Sequence, residues 1–215
     1  MSPSPPTVFI VDDDASICRS LARLVRQAGL DGRTYPSAEA FLEAHPAPPS
    51  RPACLVVDLQ MPGLSGLELQ QRLLESHSSC PVVFISGNGD IPSTVRAMRQ
   101  GAVTFLTKPF DNDDLLRAIG EGLEKHRTSL AAGHQVSGIR ERMKLLTDRE
   151  LEVMSWVITG ALNKQIAAEL NVVEKTVKVH RARVLEKMQA HSVAELVRLC
   201  ALVGFAAAEP SAGAA

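Results

Sequence analysis

Apolar residues in the first 125 positions fall into short unbroken runs, and between the runs they recur every three or four residues. Residues 7–11, 54–57, 82–85 and 103–106 are such runs, and a weaker strand is predicted near 31–35. Runs of four or five apolar residues without alternation predict strands covered on both faces, the pattern of a parallel sheet. The first intervening segment carries Ile17, Leu21, Leu24, Val25 and Ala28 at helical spacing, and Gly29 marks its stop. Further helices are predicted over 37–44, around Leu67, Leu69, Leu73 and Leu74, over 91–100 with Gly101 as the stop, and from Asn112 to about Lys125. The proline-rich stretch 45–52 is a loop. Strand and helix alternating through five cycles predict an α/β doubly wound, five-stranded parallel sheet.

The pattern then changes. Residues 126–145 are polar and mixed, with Gly133 and Gly138, and read as a linker with some helical content. Beyond Thr147 the periodicity is helical throughout, giving a small all-α domain of four helices over 146–205. Thr147 with Glu150, and Ser192 with Glu195, have the spacing of capping boxes. Between them lie a short helix (163–170), a tight turn (171–173) and a longer helix (174–188), and Gly204 ends the last helix ahead of a small-residue tail expected to be disordered. The chain therefore divides into 7–125, a linker at 126–145, and 146–205.

Charge sharpens this division. The overall balance is −1, but residues 1–124 hold 10 Lys and Arg against 15 Asp and Glu, whereas residues 125–215 hold 13 against 9. An acidic front and a basic rear suggest different partners, a polyanion for the rear. Cys18, Cys54, Cys80 and Cys200 sit among apolar residues without paired or metal-ligand spacing, which reads as reduced thiols in a cytosolic protein. The N-terminus lacks the basic start and apolar run of a signal peptide, and no stretch reaches the ~20 apolar residues of a membrane span. A cytoplasmic chain with no membrane association is the expectation.

In a parallel α/β sheet, functional groups collect at the carboxyl ends of the strands. Here those ends carry Asp12 and Asp13, Asp58, Ser86 and Lys108. Converging carboxylates repel one another, and a hard divalent cation with oxygen ligands offsets that repulsion. Lys108 adds a second positive charge and Ser86 a hydroxyl donor. A carboxylate nucleophile, a metal, a lysine and a hydroxyl are the components of phosphoryl transfer to an aspartate.

The motifs Val-Asp-Asp-Asp (11–14), Val-Val-Asp-Leu-Gln-Met-Pro-Gly-Leu-Ser-Gly (56–66), Ile-Ser-Gly (85–87) and Phe-Leu-Thr-Lys-Pro-Phe (105–110) resemble the flavodoxin-like receiver domain of two-component response regulators. The resemblance covers all of 7–125. It implies that Asp58 is the phospho-acceptor and that Mg²⁺ is held by Asp12, Asp13, Asp58 and the backbone carbonyl of Gln60. Lys108 then contacts the phosphoryl group, with a cis peptide before Pro109. Ser86 moves onto the phosphate, and Phe105 is the coupled aromatic switch. Asp14 stands where relatives often carry Glu, and reads as a helix N-cap outside the metal's ligands.

On a helical wheel, the helix 174–188 turns Val177, Val184, Leu185 and Met188 inward. The opposite arc carries Lys175, Val179, Ala182, Arg183 and Glu186, with Lys178 and Thr176 at its edges, while Arg181 falls on the core side and reads as a brace. Short and basic side chains on an exposed arc suit entry into the major groove of DNA. The segments 146–150, 163–167 and 176–181 resemble the LuxR-type helix-turn-helix, and the order of domains resembles the FixJ branch of the NarL/FixJ regulators. That resemblance implies that Lys178 and Val179 face the groove while Thr176, Asn163 and Lys164 approach phosphates; Ala182 departs from the basic residue some relatives place there.

The function so implied is a phosphorylation-dependent DNA-binding transcriptional regulator rather than an enzyme. Its expected partners are a sensor histidine kinase, double-stranded DNA, RNA polymerase and, on phosphorylation, a second copy of the chain. A competing reading exists: Asp12-x-Asp14-x-Ser16 weakly matches the nucleophile loop of haloacid-dehalogenase-type phosphatases, with Asp113 and Asp114 as late metal acids. It leaves Asp58 and the helical rear domain without a role.

Overall fold

The computed structural model describes residues 4–87 and 91–209, so the last residues of the expected disordered tail, 210–215, lie outside the described residues. The chain forms two compact units, residues 1–131 and 132–215.

In the first unit the strands are β1 (Thr7–Val11), β2 (Asp31–Tyr35), β3 (Ala53–Asp58), β4 (Val82–Ser86) and β5 (Thr104–Thr107). They form one parallel sheet in the order β2-β1-β3-β4-β5. The helices between them are α1 (Ala15–Gln27), α2 (Ala38–Ala44), α3 (Gly66–Glu75) and α4 (Ile91–Arg99), and α5 (Asn112–Met143) follows β5. The unbroken apolar runs are explained by what covers the sheet. Val8 and Ile10 of β1, Cys54 and Val56 of β3 and Val83 and Ile85 of β4 pack with α1 and α5. Their neighbours Phe9, Val11, Leu55, Val57, Val82 and Phe84 pack on the other face with α2, α3 and Ala97 of α4. Alternate residues point to opposite faces, and both faces are covered, so every position must be apolar.

The second unit contains α6 (Asp148–Val157), α7 (Asn163–Glu169), α8 (Glu174–Met188) and α9 (Val193–Leu202). Its core gathers Val153, Met154, Ile166, Val177, Val184, Met188 and Leu196. Thr147 and Glu150 make both bonds of a capping box, whereas the second box is only half formed. Ser192 accepts from the Glu195 N–H at 3.1 Å, but the Glu195 carboxylate takes its bond from the His191 N–H at 2.8 Å.

The main departure from the sequence reading is α5. The pattern predicts a stop near Lys125, but the helix continues through the anticipated linker to Met143. Leu115, Ala118, Ile119 and Leu123 enter the first unit's core, and Ile139 enters the second's.

Candidate functional sites

The order 2-1-3-4-5 reverses direction between β1 and β3, because the crossover from β1 runs outward to β2 and the one from β3 runs the other way. Such a reversal opens a crevice beyond the carboxyl ends of those two strands. Asp12 follows β1 and Asp58 closes β3, so both carboxylates flank that crevice. Asp12 is 1% and Asp58 6% exposed. Lys108 reaches in from beyond β5, and its Nζ donates to Asp12 Oδ2 at 2.8 Å and to Asp58 Oδ1 at 2.6 Å. The Lys108 backbone N–H donates to the Ser86 carbonyl at 2.7 Å, which holds the lysine beside the end of β4. The peptide between Lys108 and Pro109 is cis, as the resemblance implies.

The remaining carboxylate oxygens are committed locally. Asp12 Oδ1 accepts from the Asp14 N–H at 2.9 Å, and Asp58 Oδ2 accepts from the Gln60 N–H at 2.8 Å. Burial pushes the Asp12 carboxyl above the usual aspartate range, and the bond from Lys108 only partly offsets it. Burial also pulls on the Lys108 ammonium in the downward direction, but the bonds to Asp12 and Asp58 outweigh it and hold the lysine above its ordinary value. Two buried acids thus share one cation. Asp13 remains exposed at the rim, and Asp14 caps α1 by accepting from the Ser16 and Ile17 N–H groups.

Ser86 is buried at the end of β4, where the register sets Ile85 opposite Asp58. Phe105 is half-buried, with its ring stacked on Phe84 at 6.3 Å between centroids and 27° between planes. Local backbone fixes the far side of the crevice. A Cβ on Gly66 would lie 2.4 Å from the Asp58 carbonyl oxygen and 3.1 Å from the Phe84 ring, so α3 can begin this close to the acid only with glycine there.

The donor chemistry suits Mg²⁺: every candidate ligand is an oxygen, two of the carboxylates are buried, and burial leaves Asp12 short of positive charge. Among the described residues, however, no three acidic or other ligating side chains close on a common point. Lys108 stands between Asp12 and Asp58, and Asp13 lies apart, so the side chains are arranged for an ammonium in the crevice.

In the second unit α7 and α8 are separated by the tight turn through Asn171, which has a positive φ of 50°. On α8, Val177, Val184 and Met188 are buried and Leu185 is half-buried. Lys175, Lys178, Val179, Ala182, Arg183 and Glu186 are exposed, and Thr176 is half-buried at the edge of that arc. Lys164 on α7 is exposed, while Asn163 is half-buried and its Oδ1 accepts from Arg181 Nη1 at 3.2 Å. Arg181 therefore braces α8 against the start of α7. Lys178 also lies 3.5 Å from Glu174, an exposed pair that contributes little and is easily given up to another anion.

One charged pair of this unit lies outside the sequence reading. Glu150 is 2% exposed, and its Oε2 accepts from Lys187 Nζ at 2.6 Å as well as from the Thr147 N–H at 2.9 Å. Bonding to Lys187 and to the Thr147 backbone holds its carboxyl down at about 2. Spacing identifies Glu150 as a cap but gives no sign of a partner on α8. Arg149 is likewise silent in the sequence: it ties α6 to the end of α7 by donating to the Leu170 carbonyl at 2.7 Å.

Removing the charge with Glu150→Gln is expected to destabilise this unit by about 2 kcal/mol at neutral pH, the size of a charge-assisted hydrogen bond. The folded carboxyl is depressed from 4.5 to about 2, so its contribution is full above 4.5 and disappears as pH falls towards 2. The gap between wild type and variant closes over that window. Fluorescence of Trp156, the chain's only tryptophan, reports unfolding of this unit. A gap that persists unchanged at pH 2 refutes the assignment.

Comparison with known proteins bears on both units. Residues 8–120 match the family described as "Response regulator receiver domain", and residues 144–200 match "Bacterial regulatory proteins, luxR family". Nodulation protein W of Bradyrhizobium diazoefficiens is 44% identical over 200 residues, covering 93% of this chain and 87% of that protein. The transcriptional regulatory protein FixJ of Rhizobium meliloti is 41% identical over 199 residues, covering 93% and 97%. Among solved structures, the response regulator StyR matches with a TM-score of 0.83 at 44% identity, covering 92% of this chain and 98% of that one.

Proposed function

Because the chain belongs to the FixJ-like response regulators, transcription regulators that join a receiver domain to a LuxR-type DNA-binding domain, we propose that Asp58 is the residue through which phosphorylation controls its binding to DNA. The observation that carries this reading is the buried Asp58 carboxylate at the end of β3, with Lys108 Nζ 2.6 Å away. An Asp58 oxygen attacks the phosphorus of a phosphohistidine on a sensor kinase, the P–N bond breaks, and the imidazole leaves. Lys108 turns from the carboxylate to the new phosphoryl oxygens, and the buried Ser86 hydroxyl donates to one of them. Asp12, Asp13, Asp58 and the Gln60 carbonyl would hold Mg²⁺, which when bound neutralises phosphoryl charge. Phe105, stacked at the edge of Phe84, turns inward as Ser86 moves.

The same event changes the surface around α4 and β5. Val95 and Met98 are 42% and 44% exposed there, beside Arg99. Phosphorylation favours pairing of this surface with a second copy of the chain, and a symmetric dimer presents two recognition helices to two half-sites. Lys178 and Val179 read the groove, flanked by Lys175, Ala182 and Arg183, while Thr176, Asn163 and Lys164 approach phosphates. The protein acts in the cytoplasm without catalytic turnover, in concert with RNA polymerase.

A DNA-binding titration before and after reaction with a small acyl phosphate and Mg²⁺ tests this reading. Phosphorylation is expected to tighten binding by roughly 5–150-fold, the usual range of coupling between sites. Selection of DNA fragments by the phosphorylated protein supplies the sequence for the titration. Equal affinity with and without phosphate on Asp58 would refute the proposal.

A further inference from the structure

The loop that leaves Asp58 carries the Gln60 carbonyl, and its geometry has to be held by something. Its two ends are pinned by backbone: the Leu59 N–H donates to the Ile85 carbonyl at 3.0 Å, and the Gly66 N–H donates to the Leu59 carbonyl at 3.1 Å. Its tip is pinned from elsewhere. Glu39, in the first turn of α2, reaches across 25 residues of sequence, and its Oε1 accepts from the Leu64 N–H at 2.7 Å.

The contact is close-fitted. Gly63 has a φ of +77°, and a Cβ on it would lie 2.6 Å from Glu39 Oε1. The glycine therefore serves both the turn and the approach of the carboxylate. Three donors converge on Glu39: its own backbone N–H, the Leu64 N–H and the Ser37 hydroxyl, which hold its carboxyl below the usual glutamate range. No lysine or arginine pairs with it in any of these bonds. Ser37 is also the N-cap of α2, so the acid sits at the positive end of that helix and is oriented by it.

We propose that Glu39 is a positioning residue for the phosphorylation site: through Leu64 it sets the course of the 59–66 loop, and so the direction in which the Gln60 carbonyl faces the crevice. The proposal rests on the reading of Asp58 and Gln60 given above. It assigns Glu39 no contact with the reacting atoms. What it supplies is an acceptor, and the charge is secondary.

That distinction makes the test. In Glu39→Gln the charge is gone but an Oε1 acceptor remains for the Leu64 N–H; in Glu39→Ala both are gone. Calorimetric titration of the full chain with Mg²⁺ is expected to show roughly 10-fold weaker binding for Glu39→Ala, the lower end of the effect of removing groups that orient metal ligands, and wild-type binding within about twofold for Glu39→Gln. Amide hydrogen exchange without metal gives a second readout, with the Leu64 N–H slow in wild type and Glu39→Gln and fast in Glu39→Ala. Phosphoryl uptake by Glu39→Ala is expected to need more Mg²⁺ for half its maximum while reaching the wild-type plateau. If Glu39→Gln loses as much affinity as Glu39→Ala, charge and not position is at work and the proposal is overturned. If Glu39→Ala binds Mg²⁺ as wild type does, it is overturned as well, with the reading of Asp58 intact. A wild-type chain that takes up no Mg²⁺ refutes the site itself, and the proposal with it.

Discussion

Asp58→Asn is expected to take up no phosphoryl group, a fall of at least ~10³-fold in labelling from a histidine kinase or a small acyl phosphate, because the amide is not a nucleophile. The fold is expected to survive the change. Asp12 keeps its 2.8 Å bond from Lys108, and the amide oxygen of the variant side chain can still accept from the Gln60 N–H that now donates to Asp58 at 2.8 Å. The variant loses the 2.6 Å bond from Lys108 to Asp58 Oδ1, but it also loses the repulsion between two buried carboxylates, and Lys108 keeps Asp12 as its partner, so the stability cost is expected to be smaller than that of removing the lysine. The variant has a second signature at Asp12. Asp58 is one of the groups holding the Asp12 carboxyl up, so Asp12 is expected to titrate lower in Asp58→Asn, which carboxyl NMR resolves. Labelling of Asp58→Asn at the wild-type rate would move the phospho-acceptor elsewhere. Asp12 is then the candidate, the position required by the phosphatase reading.

Lys108→Ala is expected to act on stability as strongly as on chemistry. The lysine side chain is 22% exposed, but its partners Asp12 and Asp58 are 1% and 8% exposed at the side chain. Removing it leaves two buried carboxylates with no shared cation, and removing one partner of a buried pair costs about 3–5 kcal/mol. The loss is specific to the first unit, so it is read from exchange of the β1 and β3 amides, while Trp156 in the second unit is unaffected. Its pH dependence has a fixed sign. Burial already raises Asp12 and Lys108 holds it down, so without the lysine the acid rises further. The deficit is therefore largest where Asp12 is ionised and shrinks as pH falls through its raised value. Mg²⁺ at millimolar concentration is expected to return more stability to the variant than to wild type, since it replaces the missing charge. A variant as stable as wild type at neutral pH would mean that the crevice is better solvated than its geometry implies.

The parts of this molecule legible in its sequence are those that repeat locally. Strand β1 covers residues 7–11, as its apolar run predicts, because a strand covered on both faces leaves a mark on every residue. Asp14 caps α1 for the same reason: a cap needs only its next three residues. The arc of α8 follows from period alone, with Val177, Val184 and Met188 buried. What is not legible joins residues far apart. Glu39 with Leu64, and Glu150 with Lys187, are pairs whose partners neither periodicity nor spacing can name, 25 and 37 residues away. The length of α5 is hidden differently. Residues 126–143 are mostly exposed and mix polar residues with alanine and glycine, so they show neither a core stripe nor a stop, although the helix runs through them.

That helix also decides where the chain can be cut. A fragment ending at residue 125 loses His126, which is 1% exposed and whose Nδ1 accepts from the Ala53 N–H at 2.9 Å at the start of β3. A fragment beginning at residue 146 loses Ile139, which is wholly buried in the second core, and Arg142, whose Nη1 donates to the Met188 carbonyl at the end of α8 at 2.8 Å. Both composition-based boundaries therefore fall inside a folded unit. The stretch between them that neither core claims, around Ala131 to Gln135, is exposed, and a cloning junction there separates the halves with each hydrophobic core whole.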